Sequence, residues 1–248
     1  MVRNKTIDIV ITSYFRPHFT AQCLEKIKEH TKYPHRIILI DNGSDQETTD
    51  YLWDAWENDA IDLLILNDHN EGLEPAKNHA FNFVTSEYVV DTDNDILCPP
   101  FDWLERLKRL LDERPDYAAI ACPPQVFIGA DRNEILKGED AVVERAFVGG
   151  SLRIMRTEAV RSVGGWRSNP QNMVEANRGE EHYICGKLRE KGWKVGYAKN
   201  IDCFHLFGSD EWGYKKGVEH YHRDQWPKPT DEMFGKPDDW YGRYDFET

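Results

Sequence analysis

Asp91, Asp93 and Asp95 alternate along the short stretch Asp91-Thr92-Asp93-Asn94-Asp95. Carboxylates this close repel one another unless solvent or a cation intervenes. Their oxygens suit a hard divalent ion. A helix–loop–helix calcium site also opens D-x-D-x-D, but it requires glycine at the sixth position, where this chain has Ile96, with Pro99 and Pro100 following. The plain alternative is a polar turn closing a strand. A second acidic pair, Glu180-Glu181, follows Gly179 at the start of a helix. Acid there answers the helix dipole or supplies a general base. His205 lies in the apolar run Cys203-Phe204-His205-Leu206-Phe207. A histidine in such a run is a packed core residue or a ligand.

The elements around these residues alternate. Short β-branched runs at Ile7–Thr12, Arg36–Asp41, Asp62–Asn67 and Tyr88–Asp95 read as strands. Between them lie helical patterns: one with Phe19, Cys23, Leu24 and Ile27 on one side, one with Leu52, Trp53 and Trp56, capped by Ser44 or Asp45, and one from about Leu73. Near-continuous apolar strands joined by helices imply a parallel sheet covered on both faces. Ligands of such sheets bind beyond the strand C-termini. That rule selects Thr12-Ser13-Tyr14, Asp41-Asn42, Asn67-Asp68 and Asp93-Asn94-Asp95 as the walls of one site. From about Trp103 the pattern changes to a Leu104, Leu107, Leu110, Leu111 helix, then strand-like AAIAC, AVVERAFVGG and SLRIMR, a helix from about Glu180 to Lys191, and KVGYAK. After Phe207 aromatics dominate and aliphatics are few, which reads as a C-terminal extension over residues 208–248.

Bulk properties exclude several classes. With 248 residues, 40% of them hydrophobic and 12% aromatic, the chain can bury a sizeable core. A formal net charge of −13 opposes a polyphosphate backbone, so no nucleic-acid partner is expected. An anionic nucleotide ligand would then need a cation to bridge it to the carboxylates. The five cysteines are scattered with no CxxC pair, which reads as free thiols in a reducing compartment. No signal peptide is apparent and no apolar run approaches the roughly 20 residues of a membrane span. A cytoplasmic location is the expectation.

In order along the chain, the motifs resemble those of the family 2 glycosyltransferases of the GT-A fold, over roughly residues 7 to 207. Ile11-Thr12-Ser13-Tyr14-Phe15-Arg16-Pro17 is similar to the family's opening P-T-Y-N-R stretch, and Asp41-Asn42-Gly43-Ser44 to its D-N-G-S turn. Asn70-Glu71-Gly72-Leu73-Glu74-Pro75-Ala76-Lys77-Asn78 resembles N-x-G-x-x-x-A-R-N, and Asp93-Asn94-Asp95 resembles D-x-D. Gly149-Gly150, Val163-Gly164-Gly165-Trp166, Gly179-Glu180-Glu181 and His205 follow in the family's order. No single motif is specific. The ordered series is. Two positions depart: Glu181 stands where the family has aspartate, and Lys77 where it has arginine, a point charge in place of a fork.

The resemblance implies an α/β GT-A (Rossmann-like) fold: a central, mostly parallel sheet flanked by helices, a smaller mixed sheet in the acceptor half, and the aromatic extension. Residues 1–207 would form the transferase domain, with a nucleotide-binding half (1–100) and an acceptor half (101–207). It implies a metal-dependent enzyme of the hexosyltransferase class moving a sugar from a nucleotide-diphosphate donor, UDP-sugar favoured, to a glycan or other acceptor hydroxyl, with inversion. Thr12, Tyr14, Arg16, Asp41, Asn67, Gly72, Lys77, Asp93 and Asn94 would hold the donor. Asp41 would read a uracil N–H or merely close its turn. Asp93, Asp95 and His205 would hold a divalent ion, Mn²⁺ favoured and Mg²⁺ possible. Glu181 or Glu180 would be the catalytic base, with Lys77 facing phosphate. Gly150 and Trp166 would face the acceptor, Trp166 by stacking on a sugar unless it packs in the core. A nucleotidyltransferase is the poorer reading, because SYFRPHFT after the first strand holds no glycine. A non-catalytic nucleotide-sugar or glycan-binding module on the same fold is the other alternative.

Overall fold

The computed structural model describes residues 6–100, 102–124, 140–167 and 179–206. Residues 168–178 and the extension expected over 208–248 lie outside them. Four parallel strands open the chain: β1 (Ile7–Ser13), β2 (His35–Asp41), β3 (Leu63–Leu66) and β4 (Tyr88–Asp93). They stand in the order β3-β2-β1-β4, joined by α1 (Pro17–His30), α2 (Gln46–Glu57) and α3 (Leu73–Phe81). Alternation along the strands feeds two cores, because successive side chains point to opposite faces. Ile7, Ile9, Ile11, Ile37, Leu39 and Val90 meet Cys23, Leu24, Ile27 and Leu52 of α1 and α2 on one face. Val10, Ile38, Ile40 and Val89 meet Ala76, Ala80 and Phe81 of α3 on the other. Asp45 caps α2 by accepting from Thr48 N at 3.0 Å. Trp53 and Trp56 lie on the outer side of α2 at 47% and 41% exposure, so Leu52 and Ala55 carry its packing.

After β4 the chain turns into β5 (Ile96–Leu97) and α4 (Trp103–Asp112). Then come β6 (Tyr117–Ala121), β7 (Val142–Arg145), β8 (Leu152–Arg156), α5 (Thr157–Val163), α6 (Glu180–Glu190), β9 (Lys194–Ala198) and β10 (Phe204–His205). Among the described residues the acceptor half builds no separate mixed sheet, which differs from the expectation, because its strands join the sheet of the first half. β8 pairs antiparallel with both β4 and β6, and β9 and β7 follow, giving one eight-stranded sheet. The joint is chemical as well as geometric: Asp91 on β4 is registered opposite Arg153 on β8, and each supplies the charge the other needs in a dry interior. The small second sheet is the two-stranded pair β5–β10. All five cysteines are free and buried. Among the described residues no helix is long and apolar enough to cross a membrane.

One turn is sterically fixed. Gly43, after β2, has φ +82°, and a Cβ there would lie 2.4 Å from the His69 carbonyl carbon and 2.7 Å from Asn70 N. Gly43→Ala is therefore expected to lose about 2 kcal/mol or more of stability, since left-handed strain and a backbone clash add. Chemical denaturation beside the wild type checks this.

Candidate active site

The loops at the C-terminal ends of β1, β2, β3 and β4 converge through a web of amides. Asn42 is its hub: its Nδ2 donates to Asn70 Oδ1 (2.9 Å) and Gly72 O (3.1 Å), and its Oδ1 accepts from Asn67 Nδ2 and Glu71 N (3.1 Å each). Asn67 and Gly72, both expected at the donor, are thereby fixed to β2. Gly72 starts α3 with φ +94°. Asn94 has the same function on the other side. Its Nδ2 donates to Thr20 Oγ1 (2.9 Å), Phe15 O (3.2 Å) and Ser13 Oγ (3.3 Å), so its amide points back and holds the β1–α1 turn. In that turn Phe15 and Arg16 both adopt left-handed backbones (φ 54° and 60°), a costly conformation for residues with side chains. Tyr14 is exposed at the mouth and meets Phe15 edge-on at 4.5 Å. Thr12 is buried, and its Oγ1 lacks a hydrogen-bond partner among the described residues.

Asp41 is fully buried, with Oδ2 accepting from Ser44 N (2.8 Å) and Oδ1 from Ser44 Oγ (2.6 Å). Burial pushes its carboxyl up, against those two bonds. Closing the turn is the task its contacts display.

Asp93, Asp95 and His205 are brought to one place by the β5–β10 pair. His205 is registered on Ile96, and Leu206 N donates to Asp95 O at 2.8 Å. His205 Nε2 lies 3.2 Å from Asp95 Oδ1. Asp95 Oδ1 and His205 Nδ1 nonetheless have no hydrogen-bond partner among the described residues. Arg16 Nη1 lies 2.7 Å from Asp95 Oδ2. Burial alone would raise the Asp95 carboxyl, but His205 and Arg16 hold it well below the carboxylate range. For Asp93, burial leads, Lys77 opposes, and Asp95 and Asp91 add repulsion, so its carboxyl is pushed up to about 7. Among the described residues no three of His, Cys, Asp and Glu form a ready cage for a metal ion. The donor set still fits a divalent cation. His205 Nε2 and Asp95 Oδ1 stand together, an imidazole nitrogen and a carboxylate oxygen of the kind a divalent cation takes, and a cation there would relieve the repulsion between Asp93 and Asp95.

Behind this group lies a buried network that the sequence did not disclose. Lys77 is 1% exposed, and its Nζ reaches Glu180 Oε1 at 2.9 Å, Asp91 Oδ2 at 3.2 Å and Asp93 Oδ1 at 3.9 Å. Arg153 contacts Asp91 Oδ2 through Nη2 (2.7 Å) and Nε (3.0 Å), and Glu180 Oε2 through Nη2 (3.1 Å). Lys77, expected to face phosphate, instead has its ammonium shared among three carboxylates inside the protein. Asp91, read in the sequence as part of the acidic run, turns inward to pair with Arg153, a residue that no motif singled out. Their signal is a charged residue inside an apolar strand, which demands a partner.

The acidic pair divides. Glu180 is 3% exposed; burial would raise its carboxyl, but Arg153 and Lys77 bring it down to about 2. Glu181 is half-buried, and its Oε2 folds back to within 2.6 Å of where a Gly179 Cβ would stand. It makes no ion pair among the described residues. Gly150 abuts the network: a Cβ there would lie 3.1 Å from Glu180 Oε1 and 3.4 Å from Lys77 Nζ. Trp166 is 1% exposed and packs edge-on against Phe81 at 5.3 Å, so its ring offers no face to a sugar. Its backbone is held by Asn78, whose side chain accepts from Trp166 N (2.9 Å) and donates to Trp166 O (2.7 Å).

The architecture of this sheet is shared by proteins of known structure. The chain superposes on a mannosyltransferase from Pyrobaculum calidifontis, PcManGT, in complex with GDP-Man and Mn²⁺, with a TM-score of 0.67 and 18% identity, over 85% of this chain and 59% of that one. It superposes on S. aureus TarS 1-349 in complex with UDP-GlcNAc with a TM-score of 0.64 and 12% identity, over 84% and 60%. At such identities the likeness shows the architecture, a GT-A glycosyltransferase fold. In sequence it is 29% identical over 116 residues to an undecaprenyl-phosphate 4-deoxy-4-formamido-L-arabinose transferase from Serratia proteamaculans (strain 568), over 45% of this chain and 35% of that protein. The chain thus spans about a third of that relative's length. The family profile of glycosyl transferase family 2 matches residues 8–167. More than half of the chain is covered, and the chain belongs to that family.

Proposed function

We propose that the chain transfers a sugar from a nucleoside-diphosphate donor to an acceptor hydroxyl, with Glu181 as the base. The observation that carries this reading is the division of labour between adjacent glutamates. Glu180 is locked by two buried cations, whereas Glu181 on the next residue makes no ion pair among the described residues. A base must be able to accept a proton, and the carboxylate held down to about 2 is the poorer candidate. Glu181 would take the acceptor proton on the face opposite the departing diphosphate, which inverts the anomeric centre. The GDP-Man and UDP-GlcNAc complexes of the structural neighbours are consistent with a nucleotide sugar as donor.

Asp93, Asp95 and His205 would hold the divalent cation, Mn²⁺ favoured because one donor is an imidazole. When bound, such an ion supplies electrostatic stabilisation to the departing diphosphate. On the protein side, Lys77 acts through Asp93, whose charge it partly balances from below. Arg16 is placed to exchange its bond with Asp95 for one with the donor's phosphates, to which a guanidinium is suited. The exposed ring of Tyr14 stands beside that path.

A uridine donor is the first to test. If a free lone pair of Asp41 accepts from a uracil N–H, UDP binds roughly tenfold or more tightly than CDP, whose base lacks that donor. Equal affinities leave Asp41 with its turn alone. The activity is tested by incubating the chain with UDP-glucose, UDP-N-acetylglucosamine or GDP-mannose and Mn²⁺, and measuring release of the nucleoside diphosphate. Release from one of them that depends on Glu181 supports the proposal. No release in the presence of bound nucleotide favours a binding module.

A further inference from the structure

We propose that Arg153 is a positioning residue for the reaction: anchored on Asp91 of the donor-side strand, its guanidinium fixes Glu180 and so sets where Glu181 can reach. The inference rests on Glu181 being the base. Three observations support it. Helix α6 begins at Gly179 with no side-chain cap, so nothing of the usual kind fixes its first turn. Glu180, the first residue of that helix, is instead gripped by Arg153 Nη2, at 3.3 Å from Oε1 and 3.1 Å from Oε2, and by Lys77 Nζ at 2.9 Å. Both cations also bind Asp91 Oδ2, two residues before Asp93 on β4. The base-bearing helix is thereby tied by ion pairs to the strand that carries the donor-side aspartates.

The composition of the network argues for placement over stability. Burying four charges gains little over an apolar cluster of the same volume. Here Arg153 Nη1 and Asp91 Oδ1 even lack hydrogen-bond partners among the described residues, an uncompensated cost. What the ions provide is direction. A planar fork binding two carboxylates defines both distance and angle, which an ammonium cannot do. Gly150 leaves the cluster room: a Cβ there would stand 3.1 Å from Glu180 Oε1 and 3.5 Å from Arg153 Nη2. Displacements of about 1 Å in a positioned group cost on the order of 100-fold in rate.

The test uses Arg153→Lys, which keeps the charge and loses the fork. Sites are counted by calorimetric titration with UDP and Mn²⁺, and hydrolysis of the nucleotide sugar that the wild type turns over fastest is measured per site. The expected result is a kcat about 30- to 100-fold lower with the UDP dissociation constant within about twofold. In a Glu181→Gln background the same substitution is expected to add less than about threefold, because it acts through that residue. An unchanged kcat per site, or the full loss persisting in the Glu181→Gln background, overturns the inference. If Arg153→Lys does not fold, Gly150→Ala crowds the same cluster without removing a charge and is held to the same two comparisons. Should wild type and Glu181→Gln turn over donor equally, the base assignment itself falls, and this inference with it.

Discussion

Glu181→Gln is expected to lower nucleotide-sugar turnover by about 10²- to 10⁴-fold, the usual worth of a positioned general base, while UDP affinity stays within about twofold. The substitution keeps the shape of the side chain and removes only its ability to take a proton. Glu180→Gln is expected to behave differently. Its carboxylate lies between Arg153 and Lys77 in a site 3% exposed, so neutralising it leaves two cations short of an anion. Loss of one member of a buried ion group costs about 3–5 kcal/mol, visible as a lower denaturation midpoint before any assay of activity. Measured together, the pair separates chemistry from scaffold. Equal losses of turnover with equal stabilities in the two variants would end the assignment of Glu181 as the base.

The second large effect is expected at Asp95. Asp95→Ala removes a carboxylate on which both Arg16 and His205 converge. The expected outcome is loss of Mn²⁺-dependent enhancement of UDP binding, at least about 100-fold, with the weak metal-free affinity retained. Electron paramagnetic resonance of Mn²⁺ with and without the nucleotide reads this directly. An enhancement that survives in the variant would remove Asp95 from the cation site and leave it a structural link between Arg16 and His205.

Much of this arrangement is visible in the order of residues, for definite physical reasons. Local periodicity writes the first half of the fold: Ile7, Ile9 and Ile11 alternate with Asp8 and Val10, and α3 repeats Ala76, Ala80 and Phe81. The site motifs are equally local. Asp93 and Asp95 follow one strand, and Glu180 and Glu181 open one helix. What stays hidden depends on pairing between distant segments. Nothing near Leu152–Arg156 says that β8 inserts antiparallel between β4 and β6. Yet that insertion puts Arg153 opposite Asp91, turns Lys77 into a shared internal cation, and extends one sheet across both halves. Trp166 illustrates the same limit. Its place after two glycines suggests a loop, but those glycines have φ of +80° and +78° and turn the chain inward, where Asn78 clamps it. Asp41 belongs to a third kind. The turn motif was legible, and the structure shows both of its oxygens bonded within the turn.

On the function proposed above, the ends of β1, β2, β3 and β4 bind a nucleoside diphosphate together with a divalent cation. The most direct test is calorimetric titration of UDP, GDP, CDP and dTDP into the wild-type chain, each with and without Mn²⁺. One nucleotide is expected to bind with micromolar affinity or better when Mn²⁺ is present, and at least about 100-fold more weakly without it. If none of the four binds under either condition, the site is not a donor site, and the transferase reading fails at its first step.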